Sequence, residues 1–318
     1  MRPRVTVIVP TYNRGALVTR AIDSVLGQTY PNVDVLVVDD GSTDDTLERL
    51  RVYEPNQRFQ LVRLEHNRGV TGAKNAGLDN LGAETAYAGI LDSDDTLIPG
   101  AVEAIMRVFE SNAGHFSQVF AWGVDVVTGQ PTGLMSHREG PVTYDDALSG
   151  RFAGDFWHIF DHGLIAGRRF DERASGAESA IWWPLLKQRG AWLAPDVVLL
   201  VDTSGTDRIS PVHYGQSLAI RRMWTCHAGL AAVADDMRDR YPRRYGDWLV
   251  ELAKWSALAG ERRRALKAAR EGIRYAPSPR SLVMFGLVML PRSLVRGLIG
   301  LRSSIRGASG SRRATPAS

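Results

Sequence analysis

One pattern occurs four times in about the first ninety residues, and it constrains the fold more than any other feature of the chain. Each occurrence is a short apolar segment, mostly β-branched, that runs into a polar loop; the segments are residues 4–9, 33–38, 59–64 and 86–91. The first loop leads into apolar residues at helical spacing, Leu17, Ala21 and Val25. Strands that alternate with helices predict right-handed crossovers and a parallel sheet. All four polar loops should then lie at one edge of that sheet.

The fourth loop carries the densest acidic cluster, Asp92-Ser93-Asp94-Asp95. Because it follows an apolar strand directly, we expect it at the carboxyl edge of the sheet, with Asp92 and Asp94 on the same side of the strand. Carboxylates favour Mg²⁺ or Mn²⁺, ions that keep positions open for substrate phosphates. Two interpretations remain open: a divalent-metal site for a diphosphate, or a solvated acidic turn that caps the next helix.

Four motifs, in order along the chain, resemble those of family 2 glycosyltransferases. They are Val-Ile-Val-Pro-Thr-Tyr-Asn-Arg at 7–14, Asp-Asp-Gly-Ser-Thr-Asp-Asp-Thr at 39–46, Asn-Arg-Gly at 67–69 with Lys-Asn-Ala-Gly at 74–77, and Leu-Asp-Ser-Asp-Asp at 91–95. The resemblance is close over residues 4–110 and looser to about residue 210. It implies an α/β fold of the GT-A (nucleotide-diphospho-sugar transferase) type, with a Rossmann-like, mostly parallel sheet flanked by helices. It also implies a nucleotide-sugar donor, usually a uridine diphosphate sugar, and inversion at the anomeric carbon.

The same resemblance assigns roles at the donor site. Asp40, with Pro10, Thr11 and Tyr12, would hold the base and ribose, since a carboxylate can accept the uracil imide N–H. Asp94 would coordinate Mn²⁺ or Mg²⁺, and Asp92 would contact the ribose or the metal. The complete set of donor-binding candidates is Pro10, Thr11, Tyr12, Arg14, Asp40, Arg68, Lys74, Asp92 and Ser93. For Arg14 and Lys74 an ion pair is the alternative to donor contact, and Lys74 could pair with Asp92 or Asp40.

An inverting reaction needs a general base for the acceptor hydroxyl. The family takes it from a Glu-Asp pair ahead of an aromatic helix, and residues 170–183 match that region. Glu178 matches the glutamate, whereas Ser179 stands where the family has aspartate. Because the aspartate of that pair is the usual base in the family, Glu178 is the candidate base here if the loop shifts, with Asp171 and Glu172 as fallbacks. A non-catalytic site is a further interpretation, because an unassisted serine hydroxyl is too weak a base at neutral pH.

Four residues are acceptor or loop candidates. Trp182 and Trp183 could stack on a sugar ring, although tryptophans beside leucines are also typical of a core helix. Arg208 and His213 resemble a loop that closes over the donor, and an ordinary surface loop is the alternative.

The length of 318 residues predicts a main domain with an appendage. We expect a catalytic domain at 1–215, with a nucleotide-sugar-binding half at 1–110 and an acceptor-binding half at 111–215. Residues 248–259 and 262–275 have the pattern of a helical hairpin. The expected parts beyond 215 are a helical extension at 216–280, an amphipathic helix at 281–306 and a disordered tail at 307–318.

The net charge of +4 conceals an asymmetry, because residues 1–260 carry −7 and residues 261–318 carry +11. Arginines that alternate with apolar residues after Pro291 suit either contact with an anionic membrane or a packing helix. The basic segment contains no recognisable nucleic-acid-binding motif and no stacking aromatics among its arginines, so we expect no nucleic-acid partner.

The single cysteine, Cys226, and the absence of a signal-peptide pattern at the start predict a cytoplasmic protein, peripheral on the inner face of the plasma membrane if the basic helix binds lipid. The expected acceptor is a hydroxyl of a glycan or a lipid-linked glycan in cell-envelope synthesis. Two alternatives stay open. One is a nucleotidyltransferase, whose glycine-rich, lysine-bearing loop is absent here, and the other is a partner subunit that binds a nucleotide sugar without turnover.

Overall fold

The computed structural model describes residues 2–112, 114–133, 139–154, 156–165, 167–174, 176, 178–201, 216–291, 294–295 and 297–298. The chain divides into two compact units, an N-terminal unit of residues 1–207 and a C-terminal unit of residues 208–318.

The N-terminal unit alternates strands and helices. Its strands are β1 Arg4–Thr11, β2 Val33–Asp39, β3 Phe59–Arg63, β4 Thr85–Ile90, β5 Thr96–Leu97, β6 Gln118–Asp125, β7 Gly140–Val142, β8 Phe156–Asp161 and β9 Ala191–Val201. Its helices are α1 Gly15–Leu26, α2 Thr46–Leu50, α3 Gly69–Asp79, α4 Ala101–Ser111, α5 Tyr144–Ser149, α6 His162–Ile165 and α7 Ser179–Arg189.

All nine strands belong to one mixed sheet, in the order β3-β2-β1-β4-β8-β6-β9-β5, with β7 paired to β9. The four strands predicted from the repeated pattern, β3, β2, β1 and β4, are mutually parallel. Strand β8 runs antiparallel to both β4 and β6, whereas β9 is parallel to β6. Every residue of β2 is buried, as expected for a strand covered on both faces. The predicted α/β fold with a mostly parallel sheet is confirmed.

Helices cover both faces of the sheet. On one face, Ile22 of α1 and Ile105 of α4 pack with Val7 of β1 in a fully buried cluster. On the other face, α3 and α7 pack against Ile8 and Phe160. Helix α3 lies very close to β1, since a Cβ added at Gly77 would be 2.3 Å from Cγ2 of Ile8.

Residues 92–95 form a turn beyond the end of β4. The strand ends at Ile90, and the turn is closed by a 3.0 Å hydrogen bond from the Asp95 N–H to the Asp92 carbonyl. Strand alternation therefore does not set the directions of Asp92 and Asp94, because both residues lie outside β4, and their lying on one side stays a prediction. Aspartate and serine favour such turns because their side chains compete for backbone hydrogen bonds.

The C-terminal unit is helical, with α8 Gln216–Arg240, α9 Pro242–Ala259, α10 Arg262–Tyr275 and α11 Pro279–Met289. Helices α9 and α10 pack together as the predicted hairpin, and Gly260 between them has a left-handed φ of 94°. The helix expected over 281–306 is interrupted: α11 ends at Met289, and Leu290 is extended as favoured before Pro291. Residues 299–306 and the expected tail at 307–318 lie outside the described residues. No helix in the described ranges combines the length and apolarity needed to cross a membrane.

Candidate active site

The loops after β1 and β2 are joined by Asn13. This residue has a positive φ of 51°, a conformation that asparagine tolerates better than most residues. Its backbone N–H donates to Ser42 Oγ at 2.9 Å, and its side-chain Oδ1 accepts the Thr43 N–H at 2.8 Å. Asn13 thus fixes two candidate donor loops against each other. It was not among the predicted site residues, although an asparagine within a turn sequence is the signal that could have found it.

The end of β1 exposes one aromatic ring and buries an unpaired hydroxyl. Pro10 and Thr11 are buried, and Thr11 Oγ1 has no hydrogen-bond partner among the described residues. Tyr12, by contrast, is 41% exposed. A buried hydroxyl without a partner costs about 1–3 kcal/mol, so its position at the sheet edge calls for a functional explanation.

Asp40 anchors the start of α3. It is buried, and its two carboxylate oxygens accept the backbone N–H groups of Arg68 at 2.7 Å and Gly69 at 2.8 Å. Burial raises the pKa of Asp40, and the two hydrogen bonds offset this rise only in part. Each carboxylate oxygen still has a second lone pair, so these contacts do not exhaust its capacity to accept hydrogen bonds.

Lys74 connects two distant parts of the chain. It is 6% exposed, and its Nζ lies 2.7 Å from Glu178 Oε1 and 3.3 Å from Asp92 Oδ1. Burial by itself lowers the pKa of Lys74, but the two carboxylates outweigh this effect and the pKa is raised. Of the two partners expected for Lys74, the structure shows Asp92 and adds Glu178. Helix α3 thereby brings the acidic turn and the candidate base together.

Asp94 pairs with a different cation. Its Oδ2 lies 2.8 Å from Arg14 Nη1, and its side chain is one-third exposed. Ser93, between the two aspartates, is buried. No group of three or more His, Cys, Asp or Glu in the described part of the chain could hold a metal ion by itself. Mg²⁺ and Mn²⁺ commonly bind through one or two carboxylates plus substrate phosphates, so Asp92 and Asp94 fit such an ion when a diphosphate supplies further ligands.

Glu178 lies at the N-terminus of α7. Its carbonyl accepts the N–H groups of Ile181 and Trp182, and Ser179 is the first residue of the helix. The side chain is about half exposed at 47%, and Lys74 lowers its pKa more than burial raises it. Both Lys74 and the positive end of the helix favour the ionised carboxylate, which is the form that can accept a proton.

The two fallback carboxylates have other partners. Asp171 forms an ion pair with Arg173 at 2.7 Å within its own loop. Glu172 pairs with Arg68 and accepts a hydrogen bond from Asn75 Nδ2 at 3.2 Å. The contacts of Glu172 connect the start and the middle of α3 to the loop that precedes α7.

Two buried polar residues of α3 hold that loop, and the sequence interpretation missed both. The Asn75 amide accepts the Phe170 N–H at 2.8 Å and donates to the Phe170 carbonyl at 3.0 Å. Thr71 Oγ1 donates to the Ala174 carbonyl at 3.2 Å. Their signal was available: Thr71 and Asn75 are four residues apart in a helix otherwise rich in alanine and glycine, so they share one face.

Trp182 belongs to the core. It is buried, and its ring packs 4.9 Å from Phe160 and 4.7 Å from His158, measured between centroids. Burial, with a smaller contribution from Lys74, lowers the pKa of His158 to about 3, so this histidine is neutral. Trp183 is partly buried. Arg208 and His213 lie outside the described residues.

Known proteins with related sequences include glycosyltransferases. The family model "Glycosyl transferase family 2" matches residues 6–169, more than half of the chain. The GalNAc(5)-diNAcBac-PP-undecaprenol beta-1,3-glucosyltransferase of Campylobacter jejuni is 24% identical over 95% of this chain and 99% of its own length. The putative teichuronic acid biosynthesis glycosyltransferase TuaG of Bacillus subtilis is 30% identical over 59% of this chain and 73% of its own length.

Solved structures show the same fold. A crystal structure of S. aureus TarS 1-349 superposes with a TM-score of 0.60 at 18% identity, over 95% of this chain and 88% of that one. Its complex with UDP-GlcNAc gives 0.63 at 17% identity, over 90% of each chain. The family match and the relatives show that the chain belongs to glycosyl transferase family 2 and is a glycosyltransferase. The mixed α/β sheet and the structural neighbours show that it has the GT-A fold.

Proposed function

We propose that this glycosyltransferase moves a sugar from a uridine diphosphate donor to a hydroxyl of a glycan or lipid-linked acceptor, with inversion at the anomeric carbon. The observation that carries the proposal is the pairing of Lys74 with both Asp92 and Glu178. It joins the acidic turn of the donor half to a carboxylate at the start of α7. A site with these two parts has a place for a diphosphate and a base for an acceptor.

The names of the relatives support the proposed donor and acceptor classes. One S. aureus TarS structure contains UDP-GlcNAc, and another contains UDP. The C. jejuni relative is named for an undecaprenol-linked acceptor, and the B. subtilis relative for teichuronic acid biosynthesis. In this chain, exposed Tyr12, the unpaired Thr11 hydroxyl and the remaining lone pairs of Asp40 would receive the base and ribose.

We propose further that Asp94 and Asp92 hold Mn²⁺ or Mg²⁺ together with the phosphates of the donor. Such an ion, when bound, supplies Lewis-acid stabilisation of the departing diphosphate. Arg14 and Lys74 balance the same two carboxylates in the described structure. In this proposal both cations would lie beside the departing diphosphate and would donate hydrogen bonds to its oxygens.

Glu178 performs the proton transfer in this proposal. The acceptor O–H bond breaks and its proton goes to a Glu178 oxygen, while the acceptor oxygen bonds to the anomeric carbon. The bond from that carbon to the diphosphate breaks in the same displacement. Lys74 contributes by keeping Glu178 ionised and by fixing the carboxylate 2.7 Å from its Nζ.

The test is nucleoside diphosphate release from a panel of uridine, guanosine and thymidine diphosphate sugars with Mn²⁺, with and without an extract of envelope lipids and glycans. We expect extract-stimulated release from one uridine donor. Asp94→Ala should abolish it. Asp79→Ala is the matched control. It also removes a carboxylate that pairs with an arginine, Arg169, but this carboxylate lies on the surface of α3.

Three outcomes would contradict the proposal. Near-normal turnover by Asp94→Ala would refute the metal assignment. Release of pyrophosphate would indicate nucleotidyl transfer instead of glycosyl transfer. Donor binding by the wild-type protein without any release would favour a subunit that binds the nucleotide sugar without turnover, as Ser179 in place of aspartate would allow.

A further inference from the structure

Helix α11 has an apolar outer face. Ser281, Met284 and Val288 are buried and form its inner face within the C-terminal unit. The opposite side exposes the large apolar side chains Leu282 at 60%, Val283 at 54% and Met289 at 52%, and Leu290, the first residue after the helix, is 37% exposed. No charged residue occurs from Ser281 to Leu290. The outer face of a helix in water is normally polar, so this one suits a partner that is itself apolar.

The same unit is strongly basic. Arg263, Lys267 and Arg270 are exposed at spacings of four and three on α10, and none forms an ion pair with another residue that the structure describes. Arg262, in the first turn of α10, donates to the Met289 carbonyl at 3.3 Å, which places the start of α10 beside the end of α11. Beyond Glu271 the sequence has eight arginines and no acidic residue.

An apolar face and unpaired cations within one helical unit fit a surface that is both apolar and anionic. We propose that the C-terminal unit docks on an anionic lipid bilayer. The α11 outer face, defined by Leu282, Val283 and Met289, enters the boundary between headgroups and acyl chains together with Leu290, and the α10 cations contact lipid phosphates. Nucleic acid would satisfy the cations but would leave the leucines in water.

The purpose of this docking rests on the proposed function, since it would bring the active site to a lipid-linked acceptor. The docking itself needs neither donor nor acceptor, so it can be measured separately. Co-flotation of the full chain with phosphatidylcholine vesicles, with and without phosphatidylglycerol, reports it directly. We expect binding only to the vesicles that contain phosphatidylglycerol, and weaker binding as salt is raised.

The decisive variant carries Leu282→Glu and Leu290→Glu. Both side chains are exposed, so the fold should survive, which circular dichroism would verify. The matched control carries Val52→Glu and Val127→Glu, two exposed apolar positions in the N-terminal unit whose exposed fractions are 74% and 61%. Because burying one leucine contributes about 1.5 kcal/mol or more, we expect the first variant to bind at least about tenfold more weakly, and the control to bind like the wild type.

Equal binding by the two double variants would overturn the proposal, as would absence of wild-type binding or equal binding to neutral vesicles. Nucleoside diphosphate release with a detergent-solubilised acceptor extract tests transfer independently. A chain that transfers sugar in detergent but fails to bind vesicles would refute the docking and leave the proposed function intact.

Discussion

Asn75→Ala removes the side chain that holds α3 to the loop preceding α7. This loop leads to the candidate base, Glu178. In the native structure the Asn75 amide satisfies both the N–H and the carbonyl of Phe170, at 2.8 Å and 3.0 Å. Asn75 and Phe170 are both buried, so water cannot easily replace the amide. Each buried backbone group left without a partner costs about 1–3 kcal/mol, so the variant should lose about 2–6 kcal/mol of unfolding free energy.

Both stability and activity should report the loss. For a unit of this size, each kcal/mol lowers the midpoint of thermal unfolding by about 2–4 °C, so a fall of at least about 4 °C is expected. The released loop leads to Glu178, and a displacement of about 1 Å at a catalytic group can cost about a hundredfold in rate. We therefore expect kcat to fall while KM for the donor changes little, because the Thr11, Tyr12 and Asp40 region is untouched.

Asn80→Ala is the matched control. Asn80 lies at the end of the same helix, is exposed, and makes one side-chain bond, to the Ala76 carbonyl at 2.8 Å. Thermal unfolding by circular dichroism and steady-state kinetics below the transition would compare the two variants. If Asn75→Ala matched Asn80→Ala in both midpoint and kcat, the reasoning about the Phe170 contact would be refuted.

Removing the cation in Lys74→Met should raise the lowered pKa of Glu178 towards its ordinary value. The acid limb of kcat/KM should then move to higher pH, whereas the stability that this carboxylate loses as pH falls through its lowered folded-state pKa should become smaller; an unmoved limb in a pH–rate profile would exclude Glu178 as base. Gly77→Ala would place a Cβ 2.3 Å from Cγ2 of Ile8, so we expect it to lower the free energy of unfolding by about 1–3 kcal/mol. In α11 a Cβ added at Gly286 would meet no atom within 4 Å, so we expect Gly286→Ala to raise the free energy of unfolding by about 0.5–1 kcal/mol. Changes of the same sign for both variants in calorimetry would contradict this packing argument.

The parts of the fold that depend on neighbouring residues were predictable from sequence. Alternation of apolar strands and helical spacing indicated the four parallel strands β1 to β4, and the same periodicity located the α9–α10 hairpin. The common edge of the four polar loops followed from the parallel direction of the four strands. The insertion of β8 between β4 and β6 was not predictable, because strand order depends on contacts between segments distant in sequence.

Sequence alone determined which chemical groups this chain can bring to a sheet edge: the acidic turn at 92–95, the cations Arg14 and Lys74, and the carboxylate Glu178. Tertiary structure decided how they pair. Lys74 and Glu178 are 104 positions apart, and Asn75 and Phe170 are 95 apart. Local periodicity reports only which face of an element is buried, whereas these pairs exist because α3 packs between the acidic turn and the loop before α7. The partner of each charge is therefore a property of the packing and not of the local sequence pattern.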